Sequence, residues 1–278
     1  MSGTRSSDCL TVPEAWAAGP AGRYRNALAI LMLLTLAAAA ISVYLYTGGR
    51  WMAGTGAAWF TVLLAVFVYV GTDARLRQKP TGSAVTTTVT AQGRPATELS
   101  YSALQFSGYL FILSWIAFGL FLFAVLAHES DDSTVRNATI PFAVAGVLIL
   151  TFPAVVALGW FRRGRILLTT EGIYQRGWTF ESFLPWSAIT SIQPYFLDGP
   201  EIWVAAGKNE RQWQRKQFTR WWRQDRLPAD PVLHIPAKNL GVDATFAYHL
   251  LGYYYLHPAS RTELGSTLAV DRARQANF

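Results

Sequence analysis

Four stretches of the chain lose their polar positions almost completely. Residues 27–46, 52–70, 105–127 and 138–161 are apolar runs of 19 to 24 residues without one Asp, Glu, Lys, Arg or His. About 20 helical residues at 1.5 Å rise cross a hydrocarbon core of roughly 30 Å, so each run predicts a transmembrane helix. Buried helices of a large soluble protein would carry charges every few turns, and none appears. The first run has small residues at 37–40, as a cleaved leader would. It continues to Tyr46 and follows 26 residues, so it reads as a retained span. Cys9 lies ahead of every apolar run and is therefore no lipoprotein cysteine.

After Phe161 the period changes. Short runs of β-branched and aromatic residues separated by turns predict strands at 165–170, 173–176, 178–184, 186–192, 201–206 and 232–236. Asp243 then reads as the N-cap of an amphipathic helix through about Leu256, with Phe246, Leu250 and Tyr253 on one stripe and Pro258 marking its end. Strands followed by a closing helix suggest a small barrel or bent sheet plugged by that helix. Residues 83–90 (SAVTTTVT), between the second and third spans, are strand formers. They would pair with the cytoplasmic part or serve as an extended linker, and the linker is favoured. The expected division is a tail (1–25), a four-helix region (26–161), a sheet domain (162–257) with an insertion at 207–230, and a second tail (258–278).

Composition sharpens this picture. Of the 278 residues 51% are hydrophobic and 15% charged, against roughly 25% charged in soluble domains. A disordered chain is excluded, and a single Cys excludes a disulfide framework and a cysteine-ligated metal site. The net charge of +7 is local. Residues 162–278 carry 15 basic and 10 acidic side chains, so +5 lies there. With the N-terminus inside, nine basic residues flank the spans on the cytoplasmic side: Arg23, Arg25, Arg75, Arg77, Lys79, Arg94, Arg162, Arg163 and Arg165. Only Arg50 and Arg136 lie outside. The positive-inside rule therefore predicts a multi-pass protein of the plasma (cytoplasmic) membrane with both termini in the cytoplasm.

The insertion concentrates the charge. It holds Lys208, Arg211, Arg215, Lys216, Arg220, Arg223 and Arg226 against Glu210, Asp225 and Asp230. On a helical wheel Trp213, Phe218, Trp221 and Trp222 fall within about 180° and the basic side chains on the opposite half, the pattern of a helix lying in a membrane interface. Arg211, Trp213, Arg215, Lys216, Arg220, Trp221, Trp222 and Arg223 are the candidate lipid- or partner-binding residues. A solvated helix whose aromatics pack on the sheet is the plainer reading. A basic, aromatic stripe also suits single-stranded nucleic acid, which membrane tethering argues against, so no nucleic-acid partner is expected.

One resemblance bears on the tail. Leu167-Leu168-Thr169-Thr170-Glu171-Gly172-Ile173, then Leu184-Pro185-Trp186-Ser187-Ala188-Ile189-Thr190-Ser191-Ile192, then His234-Ile235-Pro236, resembles the bacterial pleckstrin-homology-like domains. Such domains often hang from membrane spans in bacterial, including actinobacterial, proteins. The likeness covers about residues 164–257 and rests on short motifs. It implies a seven-stranded antiparallel sandwich or barrel capped by a helix, with no catalytic residues to carry over, and this chain departs from the compact pattern at 206–231. The expected fold is thus an α-helical membrane bundle of four transmembrane helices plus a C-terminal α+β, pleckstrin-homology-like domain.

Enzyme chemistry leaves little trace. His128, His234, His249 and His257 do not fall at zinc spacing, and no HExxH, GxSxG, Walker loop, kinase set or GxGxxG occurs. His128, Glu129, Asp131 and Asp132 read as a solvated external loop in preference to a cation site. Trp178, Trp186 and Trp203 read as strand core in preference to a ligand box. Pro141 and Pro153 would kink the fourth span, and the small residues at 53–58 suit close helix packing. The expectation is a non-enzymatic membrane scaffold or accessory subunit without cofactor or metal, contacting membrane lipids and other membrane proteins or a second copy of itself. A small transport or channel component with a regulatory tail is the alternative, and an enzyme acting on lipid within the bundle is a third possibility for which no catalytic pair is visible.

Overall fold

The structure, a computed structural model, describes residues 10–17, 21–207, 212–219, 222, 225 and 231–278. They form two compact units, one of residues 20–77 and 104–159, the other of residues 1–19, 78–103 and 160–278.

The first unit holds the four long apolar helices: α2 (Ala21–Thr47), α3 (Trp51–Arg75), α4 (Ala103–His128) and α6 (Thr139–Ala157), with a short α5 (Ser133–Asn137) before the last. Each is long and apolar enough to cross a membrane. The helices α2 and α3 turn through Gly49 at φ +73° and then lie close. The Ser42 hydroxyl donates to the Gly54 carbonyl at 3.0 Å, and a Cβ on Gly54 would stand 3.0 Å from the Tyr46 ring. Thus the small residues at 53–58 do permit close approach. Thr35, Thr61 and Thr72 each return their hydroxyl to a carbonyl four residues back, which satisfies the group inside an apolar helix. Pro141 sits in the first turn of α6, where no intrahelical N–H is needed, so only Pro153 interrupts the helix interior. Helix α6 stops at Ala157, short of the expected 161, because Gly159 adopts φ +72°.

Among its described residues the second unit has nine strands and four helical pieces of note. The strands are β1 (Val85–Val89), β2 (Pro95–Ser100), β3 (Arg165–Leu168), β4 (Gly172–Arg176), β5 (Phe180–Pro185), β6 (Ile189–Phe196), β7 (Pro200–Ala206), β8 (Gln214–Gln217) and β9 (Val232–Pro236). One antiparallel sheet runs β1-β2-β3-β4-β5-β8, and a second runs β6-β7-β9. The helices are α1 (Glu14–Ala17), α7 (Ala244–Leu256), a 3-10 segment at Pro258–Glu263 and α8 (Thr267–Gln275).

The hairpin predicted around Glu171-Gly172 is present. Gly172 is required there: a Cβ would lie 2.4 Å from the Leu184 carbonyl oxygen. Thr169 closes the turn through its hydroxyl, which donates to the Gly172 carbonyl at 2.9 Å, and its carbonyl takes the Trp186 indole N–H at 2.8 Å. Trp178 and Trp186 are core residues, while Trp203 is half-buried. The Asp243 carboxylate caps α7, accepting from Phe246 N at 3.0 Å, and Phe246, Leu250 and Tyr254 are fully buried beneath it.

Two expectations need correcting. Residues 83–90 are no extended linker: β1 pairs with β2, and β2 completes the sheet against β3 from Thr97↔Leu168 to Ser100↔Arg165. Burial explains it, since Val85, Ala96 and Leu99 are at most 1% exposed. Residues 258–278 are no loose tail either. Helix α8 buries Ala269, Val270 and Ala273, and Gly82 meets the Ala273 backbone so closely that no Cβ fits. Glu263 ties the segment to α7, taking the Tyr254 hydroxyl at 2.9 Å and the Arg272 guanidinium at 2.5 Å.

Candidate functional site

Among its described residues, the basic segment expected to be an interfacial helix contains a strand and no helix. Residues Gln214–Gln217 form β8, paired with β5 from Phe180↔Gln217 to Phe183↔Gln214 and exposed throughout. The physical reason is the open edge of β5, whose backbone groups take a strand partner that the helical wheel ignores. A strand sends successive side chains to opposite faces, so Arg215 and Lys216, neighbours on the wheel, are parted. Trp213 stays with Arg215: the guanidinium lies 4.9 Å from the indole centroid, and the indole N–H donates to the Ser182 hydroxyl at 3.0 Å. Lys216 approaches the Phe218 ring at 5.1 Å. Trp222 lies in a turn at φ 60°. Arg211, Arg220, Trp221 and Arg223 lie outside the described residues.

Lys216 joins a row that the helical reading did not foresee. The registers place Arg165, Arg176, Glu181 and Lys216 side by side across β3, β4, β5 and β8. Leu167, Tyr174, Phe183 and Gln214 form the next row on that face, with Tyr174 and Phe183 packed at 4.2 Å. Two adjoining clefts of about 380 and 340 Å³ open over these rows, and Arg162 and Arg163 line the second. Among the described residues lining them, Arg162, Arg163, Arg165, Arg176 and Lys216, with Arg215 at the β8 edge, stand against Glu98 and Glu181 as the acids. Arg176 is the anchor. Its guanidinium bonds Glu181 at 2.8 Å and covers the Phe218 ring at 4.1 Å. Burial pushes its pKa down, Glu181 pulls it back up, and the charges of Arg162 and Arg165 press it down further. An additional anion here would relieve that crowding of positive charge.

A second polar cluster lies inside the same unit and has no counterpart in the sequence reading. Glu201 of β7 and His234 of β9 are both buried and meet at 2.6 Å through His234 Nε2. The Trp203 indole N–H also donates to Glu201, at 3.2 Å. Below them Gln175 donates to the His234 carbonyl at 2.6 Å. Asp225, from the insertion, accepts the backbone N–H groups of Trp178 and Thr179 at 2.9 and 3.1 Å. Burial raises its pKa to about 6, and the two N–H donors pull it back in part. Glu201, His234 and Asp225 line a cavity of about 250 Å³, together with Asp198, Lys238 and Asn239. One signal for it existed: Glu201 and His234 are ionisable residues within otherwise apolar strands, EIWVAA and VLHIP.

Among the described residues, no three His, Cys, Asp or Glu side chains are grouped to hold a metal ion. In the 128–132 loop, Asp132 accepts from Thr134 N at 2.8 Å and so caps α5. Compared with protein-family models, curated proteins and solved structures, the chain matches none.

Proposed function

We propose that the protein is a non-enzymatic scaffold or accessory subunit of the plasma membrane that presents a cytoplasmic, pleckstrin-homology-like domain to anionic lipid at the inner leaflet and, through it, to neighbouring membrane proteins. One observation carries the reading. Arg162, which lines one of the basic clefts, follows the end of α6 at Ala157 by only five residues, and this closeness in sequence to a membrane span supports a lipid-contacting role. Each Lys or Arg near an anionic leaflet contributes about 1 kcal/mol, and the local excess of basic over acidic groups favours phosphate-bearing headgroups.

The orientation is supported by which segments fold together. Residues 10–17, 78–103 and 160–278, all expected on one side, belong to one unit, and the turns 48–50 and 129–132 belong to the other. The Trp16 indole donates to the Tyr195 carbonyl at 2.8 Å, in keeping with an N-terminus on the side of the C-terminal domain. For the pleckstrin-homology-like reading, support comes from the seven described strands after residue 160, split between two antiparallel sheets and followed by the buried stripe of α7.

The test is hydrogen exchange of the whole protein in lipid nanodiscs. Strands β3 to β5 exchange more slowly in discs containing phosphatidylglycerol than in phosphatidylcholine discs, and the difference disappears when Arg162, Arg165 and Lys216 are changed to Gln. Identical exchange in both discs would overturn the lipid reading.

One feature favours the alternative of a transport component. Asp73, near the end of α3, is 7% exposed and accepts from Gln105 of α4 at 3.4 Å, and ionisable groups buried among membrane helices commonly mark transport paths. A flux across proteoliposomes that Asp73→Asn abolishes would establish it.

A further inference from the structure

The cavity between β7, β9 and Asp225 is separate from the lipid-facing clefts, and its hydrogen-bond inventory is lopsided. The Glu201 carboxylate engages His234 Nε2 and the Trp203 indole. In the neutral imidazole this leaves Nδ1 as an acceptor, and among the described residues nothing pairs with it. Asp225 is equally one-sided. Its Oδ2 takes all three donors, from Trp178 N, Thr179 N and the Thr179 hydroxyl at 3.4 Å, and among the described residues Oδ1 has no partner. Both residues are 8% exposed and both line the cavity. Two acceptors that open on the same cavity would both be paired by a donor placed in it.

We infer that this cavity binds a small organic cation that presents an ammonium or guanidinium group to Asp225 Oδ1 and His234 Nδ1. The charge agrees: Asp198, Glu201 and Asp225 line the space, and Lys238, held to Asp198 at 2.6 Å, is the one lysine among its lining residues. Three carboxylates against one lysine among the lining residues disfavour an anion. An apolar ligand leaves the open acceptors unpaired. Among the described residues no three of the lining His, Asp and Glu side chains are grouped to hold a metal ion. The volume sets the size, because about 250 Å³ is below the roughly 300–1,000 Å³ of clefts that take drug-sized molecules. A diamine or an alkylguanidine is the fitting class. Asp225 gives the site a pH range: its pKa of about 6 keeps it charged at neutral pH and mostly protonated at pH 5.

The experiment is calorimetric titration of the full chain in detergent with putrescine and with methylguanidine, against a salt-matched sodium chloride control. At least one of the two binds at pH 7.5. Binding weakens about tenfold at pH 5, from the fraction of Asp225 left ionised, and at least tenfold in Asp225→Asn and His234→Gln. Lys216→Gln, in the lipid-facing cleft, leaves it unchanged, so failure here and failure of the lipid reading are told apart. Absence of heat above the salt control for both probes would mean that the cavity holds water only and would overturn the inference. Binding unaltered by pH and by both cavity substitutions would overturn it as well. Should either variant fail to fold, the pH dependence of the unaltered chain decides.

Discussion

Phe161 lies flat against Trp178, with ring centroids 5.4 Å apart and planes 10° from parallel. On another side Trp178 meets Tyr101 edge-on at 5.5 Å. Three segments distant in sequence thus converge on one indole: the residues after the fourth span, the end of the inter-span hairpin and the turn between β4 and β5. All three rings are at most 1% exposed. Replacing Trp178 by Ala removes this shared contact and leaves a cavity, which costs about 3–5 kcal/mol. The expected outcome is a fall of about 10 °C in the unfolding temperature of the sheet unit, followed by tryptophan fluorescence in detergent. A fall of only a degree or two would mean that the indole is not the keystone described.

The inter-span hairpin yields a second prediction. Leu99 is 0% exposed and faces Val85 and Ile166 across its neighbouring strands. Leu99→Ala should cost about 2–5 kcal/mol and open residues 78–103 to protease. In the unaltered protein that segment should resist cleavage as long as β3 and β4 do. Rapid cutting within 78–103 of the unaltered protein would return the segment to a linker.

That hairpin also marks where the sequence stops being legible. The spans, the Glu171-Gly172 turn and the Asp243 cap could be read because their causes are local: an uncharged run, a glycine against a strand, a carboxylate beside an N–H. The pairing of Thr97 with Leu168 depends on a partner some seventy residues away, across two membrane helices, and no local propensity reports it. The insertion failed for a related reason. Trp213, Arg215, Lys216 and Phe218 satisfy a helical wheel and a strand alternation equally, and the free edge of β5 decides between them. The pairing of Glu201 and His234 was hidden for a third: opposition across β7 and β9 is a matter of register, with Trp203 opposite His234 and Glu201 one step along the same face.

The clefts predict a salt and charge dependence. Each exposed arginine contributes about 1 kcal/mol toward an anionic leaflet, so Arg162→Gln with Arg165→Gln should weaken phosphatidylglycerol retention about thirtyfold. Raising ionic strength to 1 M, where the Debye length is about 3 Å, should weaken it in the unaltered chain as well. Native mass spectrometry of the detergent complex counts the retained lipid. Retention indifferent to both changes would show that lipid is held by the spans alone.

Asp225 makes the stability of the sheet unit depend on pH, with a definite sign. Its carboxyl titrates at about 6 in the folded chain against an ordinary 3.8, because burial disfavours the charge more than the N–H groups of Thr179 and Trp178 favour it. Between these values the folded state holds a proton that the unfolded chain has released. The contribution is therefore complete below about pH 4, falls as pH rises and is gone above about pH 6, an effect of about 3 kcal/mol. In Asp225→Asn the amide oxygen keeps the three donors and nothing titrates. The difference in unfolding free energy between the two chains should change by that amount from pH 4 to pH 7, with the unaltered chain losing ground as pH rises. Taking the difference removes the pH dependence that the two chains share. A difference independent of pH would mean that solvent reaches Asp225 in the folded protein. A difference of the opposite sign would mean that the N–H donors outweigh burial, and the insertion would then be held most firmly in the charged state.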